Sequence, residues 1–322
     1  MEALLTVDRQ DGLRRSLLRR PNTHSLRKWR MTDRPASFFK YVSVQTARAV
    51  LGGGRLRWSR PSRFNDPFDM QVNLQARFDL DRVVQMTLDK MWARCLGQGT
   101  TAQNEMGAIL DLTAALHRKG GREKFNKGQA PGVIKTLEGL PNVMVNLNKE
   151  VQKALAETKI LCLSAVRDSI LMWSHYAESH QGLALEFGSP EGVDSPYKVA
   201  RRVNYCGEVP CLFDEDELSE FISGGLRLTH DLALKTLYAK AAAWEYESEW
   251  RIDTGPGRDA GAEFEDVPFH PLELRAVYFG CKAAGDFRQF VGDIVGERFA
   301  HAEVWECRRS VDAWSLSFSR LQ

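Results

Sequence analysis

Two glutamates two residues apart, Glu247 and Glu249, sit in the segment Trp244-Glu245-Tyr246-Glu247-Ser248-Glu249-Trp250-Arg251-Ile252. The alternation of bulky and charged residues predicts a strand over 244–252. In that strand Trp244, Tyr246, Trp250 and Ile252 point one way with Ser248, while Glu245, Glu247, Glu249 and Arg251 point the other. Carboxylates at i and i+2 on one strand face lie about 7 Å apart, close enough to raise one pKa where water is excluded. Arg251 can offset that by pairing with either. Such a pair can handle protons or meet developing positive charge in a lined cleft. A solvated charged strand face has the same pattern.

Three further segments bear groups that chemistry could use. Leu171-Met172-Trp173-Ser174-His175-Tyr176 opens a short helix from Ser169 to about Ser179, capped by Asp168 or Ser169. Helical spacing puts Met172, His175, Tyr176 and Ser179 on one face. There His175 is either a proton-transfer group, titrating near neutral pH, or a histidine satisfied by its surroundings. Phe64-Asn65-Asp66-Pro67-Phe68-Asp69 is a rigid turn, since Asn and Asp bond nearby backbone and Pro restricts φ. It is a structural corner or a pocket rim that presents Asn65 and Asp66. Val277-Tyr278-Phe279-Gly280-Cys281-Lys282 before a helix is a strand-to-helix connection that could hold an anion, on the weak basis of one Gly and one Lys.

The elements that must position these groups are short. Strands are expected at 38–43, 55–59, 160–164, 183–187, 202–205, 272–279, 302–306 and 314–318. Helices are expected at 44–51, 169–179 and 284–298, with 213–243 mostly helical. Residues 73–158 differ: they carry helix-period apolar positions such as Leu80, Val83, Val84 and Leu88, broken by glycines at 97–99, 120–121 and 127–132. The expected architecture is an α+β fold with a mixed, largely antiparallel sheet core, flanking helices and a helical insertion at 73–158. Its domains are a basic, disordered leader over 1–36 and a single α+β domain over 37–322.

Charge is balanced overall, with 44 basic against 42 acidic residues in a chain of 322. The first thirty residues hold a local +5, leaving 31–322 at −3. The leader reads as translated sequence upstream of a start at Met31, or as a basic arm. A body this close to neutral does not coat nucleic acid broadly, though a local site remains open. No apolar run reaches the ~18–20 residues of a membrane span, so no membrane partner is expected. The six scattered cysteines form no CxxC pair and no metal-ligand spacing, which points to reduced thiols, a cytoplasmic setting and no metal site.

In this order the segments resemble the bacterial domain-of-unknown-function family numbered 2971. The resemblance rests on Phe39-Lys40-Tyr41, Leu56-Arg57-Trp58-Ser59 with Phe64 to Asp69, and Met172 to Ala177 with His180 and Gly182. It continues through Lys240 with Trp244, Tyr246, Glu247, Glu249, Trp250 and Arg251, and ends at Phe279-Gly280. That family name implies no activity. The layout itself looks like that of ADP-ribosyltransferases, and the likeness implies NAD as co-substrate. It makes Glu249 the stabiliser of an oxocarbenium-like transition state and Glu247 the group that positions or activates an acceptor. Tyr41 or Tyr176 would stack on nicotinamide, Lys40 and Arg251 would meet phosphate, and Asn65, Asp66 and Trp173 would complete the ligand site. The chain departs from that layout in lacking a Ser-x-Ser strand and in carrying Lys40 where Arg or His is usual. The ligand would be a small molecule or nucleotide, and the acceptor an RNA or a protein. Two alternatives stand beside this: a non-catalytic ligand- or nucleic-acid-binding module of a phage-defence or toxin system, and a metal-dependent phosphodiesterase built on Asp66, Asp69, Glu247, Glu249 and His175.

Overall fold

Along the central strands of this protein apolar side chains point to both faces of a sheet, and both faces are buried. The computed structural model describes residues 34–71, 73–227 and 235–321. The expected leader falls outside these as far as residue 33, and so does Met31. The described chain divides into two compact units, one drawn from residues within 72–153 and 208–237, the other holding the rest.

The second unit is built on a ten-stranded sheet. Its strands are β1 (Ser37–Val42), β2 (Arg55–Ser59), β3 (Ile160–Ser164), β4 (Leu183–Gly188) and β5 (Arg201–Arg202), then β8 (Glu249–Asp253), β9 (Phe264–Pro268), β10 (Leu274–Phe279), β11 (Glu303–Arg309) and β12 (Leu316–Arg320). Between β5 and β8, β6 (Asn204–Cys206) and β7 (Ala239–Ala241) form a separate parallel pair. The main order is β12-β11-β10-β4-β1-β3-β2-β9, with β8 on β3 and β5 on β8. Every contact in the main sheet is antiparallel except β10–β11, which flank a helical crossover. This is the expected α+β class with a mixed, largely antiparallel sheet.

Along β4, Leu183, Leu185 and Phe187 face one core and Ala184 the other. The first core is covered by α1 (Val44–Gly53), through Ala47, Val50 and Leu51. In the helical unit, α2 (Leu80–Cys95), α3 (Glu105–Gly120) and most of α4 (Arg122–Glu157) pack with α6 (Glu215–Ile222) around Val83, Leu110, Phe125 and Leu218. The second sheet core is covered by α5 (Ile170–Tyr176), through Met172, Trp173 and Ala177. Finally α7 (Gly285–Arg298) crosses from β10 to β11 and joins the first core through Phe287, Val291 and Val295.

Three expectations need correction. The glycines at 127–132 do not break a helix, since α4 runs through Gly128, Gly132 and two prolines, Pro131 and Pro141. Residues 213–243 are helical only in part, because β7 and a 3-10 turn end the stretch. The strand predicted over 244–252 begins only at Glu249. Ala242–Glu247 is a 3-10 turn, and Ser248 takes a left-handed conformation with φ 44° that redirects the chain. Ser248 is held by its own N–H, which donates to the Glu245 carbonyl, and by its carbonyl, which accepts from the Ala165 N–H.

One feature of the sheet decides where a site can form. β3 meets β1 only at Ser164 opposite Phe39, and meets β2 only at Ile160 opposite Ser59. The two neighbours diverge along the same edge, so the middle of β3 lacks a strand partner there. The Lys40 ammonium donates instead to the Cys162 carbonyl at 2.8 Å, meeting the demand of a strand carbonyl for a donor.

Candidate functional site

The cleft between β1 and β2 opens into a cavity of about 310 Å³. Phe39, Tyr41, Phe64, Met172 and Tyr176 supply apolar and aromatic walls; Lys40, Arg57 and Arg63 supply positive charge; Asp69, Lys240, Glu247 and Glu249 complete the polar lining. The size is at the small end for a small-ligand site, and the lining is more highly charged than is usual for one.

Its charged groups form one network. The Lys240 ammonium donates to Glu249 Oε2 at 2.9 Å and to Glu247 Oε2, and lies 3.5 Å from Asp69 Oδ2. Arg251 donates through Nε to Glu249 Oε1 at 2.8 Å, and through Nη2 to Glu249 Oε2 at 3.0 Å and Asp69 Oδ2 at 2.7 Å. None of the five residues is more than 8% exposed. Three carboxylates against two cations leave one excess negative charge when all are ionised. The environment separates the carboxylates. Burial alone would raise Glu249, but the Arg251 guanidinium and the Lys240 ammonium hold it below the usual carboxylate range. Burial pushes Glu247 up, reinforced by the nearby Glu249 charge and only partly offset by Lys240 and the Tyr176 hydroxyl. Asp69 is likewise raised by burial, and its Oδ1 has no hydrogen-bond partner.

Local folding explains why two glutamates separated by a left-handed residue converge. The Ser248 turn brings Glu247 round to share an ammonium with Glu249. Ser164 Oγ donates to the Glu247 carbonyl at 2.7 Å, and the Glu249 N–H donates to the Tyr205 hydroxyl at 2.7 Å. Burial pushes the Tyr205 phenol up to about 12, so it stays neutral there. At the cavity wall the Tyr176 hydroxyl donates to Glu247 Oε1 at 2.5 Å and accepts from Asn65 Nδ2 at 3.2 Å.

Of the residues singled out in the sequence, Glu247, Glu249, Lys40, Tyr41, Asn65 and Tyr176 line the cavity. Arg251 lies behind them, wholly buried and committed to Glu249 and Asp69. Three others have places elsewhere. Asp66 Oδ1 accepts the Phe68 N–H and closes the turn. Trp173 is wholly buried, edge-on to Tyr41, with its indole N–H donating to the Arg167 carbonyl. His175 is exposed and sits beside the Tyr246 ring, because α5 ends at Tyr176 and only Met172 and Tyr176 of the expected face reach the cavity. Beyond α5, Glu178, Ser179 and His180 are successively left-handed. Gly182 follows where any Cβ would meet the Val42 carbonyl at 2.0 Å. His180 and Gly182 therefore serve the turn, with His180 Nε2 and Ser174 Oγ 3.1 Å apart.

Asp69, Lys240, Cys162, Ser164 and Tyr205 join the site without having been chosen as site residues from the sequence, although Asp69 belonged to the metal alternative. The point on which Asp69, Glu247 and Glu249 converge is filled by the Lys240 ammonium. Among the described residues no group of three or more His, Cys, Asp or Glu side chains is disposed to hold a metal ion. Also among them, no helix is long and apolar enough to cross a membrane, and the six cysteines are free thiols.

Residues 172–252 match the model of a family described as a protein of unknown function, DUF2971. That stretch carries Tyr176, Lys240, Glu247, Glu249 and Arg251, all of the charged network except Asp69. No curated protein and no solved structure matches the chain.

Proposed function

We propose that the cavity is the active site of an ADP-ribosyltransferase-like enzyme that uses NAD as co-substrate. One observation carries the reading: two glutamates of opposite pKa tendency share a single ammonium at a cavity with aromatic walls. Environments that drive neighbouring carboxylates apart assign one to stay charged and the other to move protons. Glu249, held ionised, faces the positive charge that develops at the ribose anomeric carbon as the bond to nicotinamide breaks. Nicotinamide departs with the bonding pair as a neutral base. An acceptor nucleophile then forms the new bond to the same carbon and gives its proton to Glu247, whose raised pKa suits a general base.

The positive charge that nicotinamide carries in the ground state passes to the ribose in the transition state. A carboxylate placed nearer the ribose than the ring therefore stabilises the transition state more than the ground state, which is the differential stabilisation catalysis requires. Tyr41 and Tyr176 supply ring surface. With Arg251 engaged internally, phosphate contact falls to Lys40 and the exposed Arg57 and Arg63. Arg57 already makes a two-point pair with Asp266 at 2.9 and 3.0 Å, so phosphate would compete for it.

The test is incubation of the purified protein with NAD labelled in the adenylate half, alone and with RNA or protein acceptors. Nicotinamide release and label transfer are followed separately. Glu249→Gln is expected to lower nicotinamide release by about 10²–10³-fold. Glu247→Gln is expected to reduce transfer to the acceptor more than nicotinamide release. Binding of NAD with neither release nor transfer under any acceptor would leave a ligand-binding module in place of the enzyme.

A further inference from the structure

We propose that the exposed face of α3 is a two-fold dimerisation surface whose partner is a second copy of this chain. Three large apolar side chains of this helix are open to solvent: Ile109 at 54%, Leu112 at 84% and Leu116 at 71%. Ala108 and Ala115 beside them are exposed as well, while Leu110 and Ala114 on the opposite side fill the core of the helical unit. At 100° per residue, Glu105, Ala108, Ile109, Ala115, Leu116 and Lys119 all fall within about 60° of Leu112. This is a contiguous apolar stripe ended by one acidic and one basic residue, all of it exposed. Scattered exposed apolar residues are ordinary, but three large ones in register on one helix face mark a binding surface.

The charges that end the stripe identify the occupant, because Glu105 and Lys119 stand equally far from Leu112 and exchange places when the helix is reversed about it. If a second copy of the helix lies antiparallel across it with the two-fold axis at Leu112, Leu112 meets Leu112. A two-fold axis keeps each side chain on its own side of the seam, so Leu116 packs on Ile109 and Ala108 on Ala115, while Glu105, close to the seam line, reaches Lys119. The large pairs line one side of the seam and the alanines the other, where the two backbones can approach closely. Each terminal charge faces its opposite twice over. An isologous interface requires this self-complementarity, residue i against j and j against i. A parallel arrangement would set Glu105 on Glu105 and Lys119 on Lys119. Three large and two small side chains cover less than the ~800 Å² per partner of a standard interface, so a weak, concentration-dependent dimer is expected.

Sedimentation velocity of the full chain, from about 1 to about 200 µM, tests this. The wild type is expected to shift from monomer to dimer across that range. Leu112→Glu, which places two carboxylates at the axis, should remain monomeric with unchanged circular dichroism. Glu105→Lys and Lys119→Glu should each weaken association by about threefold to tenfold. The double exchange, Glu105→Lys with Lys119→Glu, should restore it, a rescue specific to antiparallel self-pairing. A wild type that stays monomeric throughout, or a double exchange no better than the single ones, would overturn the proposal. Either result would give the face to a different partner.

Discussion

The two units of this protein invert the ordinary placement of residues in opposite ways. The sheet-bearing unit buries charge: Asp69, Lys240, Glu247, Glu249 and Arg251 are all nearly inaccessible. The helical unit exposes apolar surface, with Leu112 84% and Leu116 71% open to solvent. Folding alone rewards neither arrangement. Burying five ionisable groups carries a desolvation cost that their mutual attraction only roughly offsets, and leaving leucines in water forgoes about 25 cal/mol per Å². The lesson is that departures from the inside-out rule single out particular residues for testing, which composition cannot do. In one unit the departure lies at the site proposed for chemistry, and in the other at the surface proposed for association.

Stability measurements can break or sharpen that contrast. The largest effect is expected at Arg251. Arg251→Ala leaves Glu249 and Asp69 buried beside a single ammonium, and should destabilise the protein by about 3–5 kcal/mol in urea unfolding. A loss under 1 kcal/mol would mean that water already reaches the cluster.

The next effect is on pH dependence, read as urea midpoints from about pH 3 to pH 8. Glu249 has a folded pKa below its ordinary value. Its stabilisation is full above the ordinary carboxylate range and is lost as pH falls through the folded pKa. Glu247 and Asp69 have folded pKa values above theirs. Their contribution is full below that range and is lost as pH rises through the raised values. Glu249→Gln should therefore flatten the acid side of the profile, below about pH 4, and Glu247→Gln the side above it. Identical profiles for the two variants would remove the division of labour between them.

The smallest effect belongs to the helical unit. Leu112→Gln, measured near 1 µM where the monomer dominates, should change stability by no more than about 0.5 kcal/mol, since an exposed side chain contributes little to folding. A larger loss would show that the stripe is part of the fold.

Much of this was legible in local pattern. β3 and β4 follow directly from short apolar runs, and α7 from its periodicity. The alternation of Glu249, Trp250, Arg251 and Ile252 correctly separates a polar face from a core face, with Trp250 and Ile252 in the first core. The same alternation misled upstream, because a period of two cannot show that Ser248 is left-handed. That conformation depends on backbone bonds to Glu245 and Ala165. Lys240 was visible as a residue but not as a site residue. Its isolated charge, nine positions before Glu249, has no spacing rule that would send it to three carboxylates. His175 illustrates the converse: a titratable group in a promising segment, turned outward by the rotation of one short helix.

By itself the sequence determined most of the segments that become strands and helices, the faces they bury, and that the notable charges of the body are few and grouped. These follow from periodicity and turn chemistry, which act over a handful of residues. Only the tertiary structure decided that β1 and β2 diverge on one edge of β3 and open a cavity. Only it showed that Lys240 and Arg251 meet Asp69, Glu247 and Glu249 there, leaving one glutamate charged and raising the other. Those outcomes depend on strand pairing across more than a hundred residues and on exclusion of water from the cluster. Neither is encoded in the spacing of neighbouring residues.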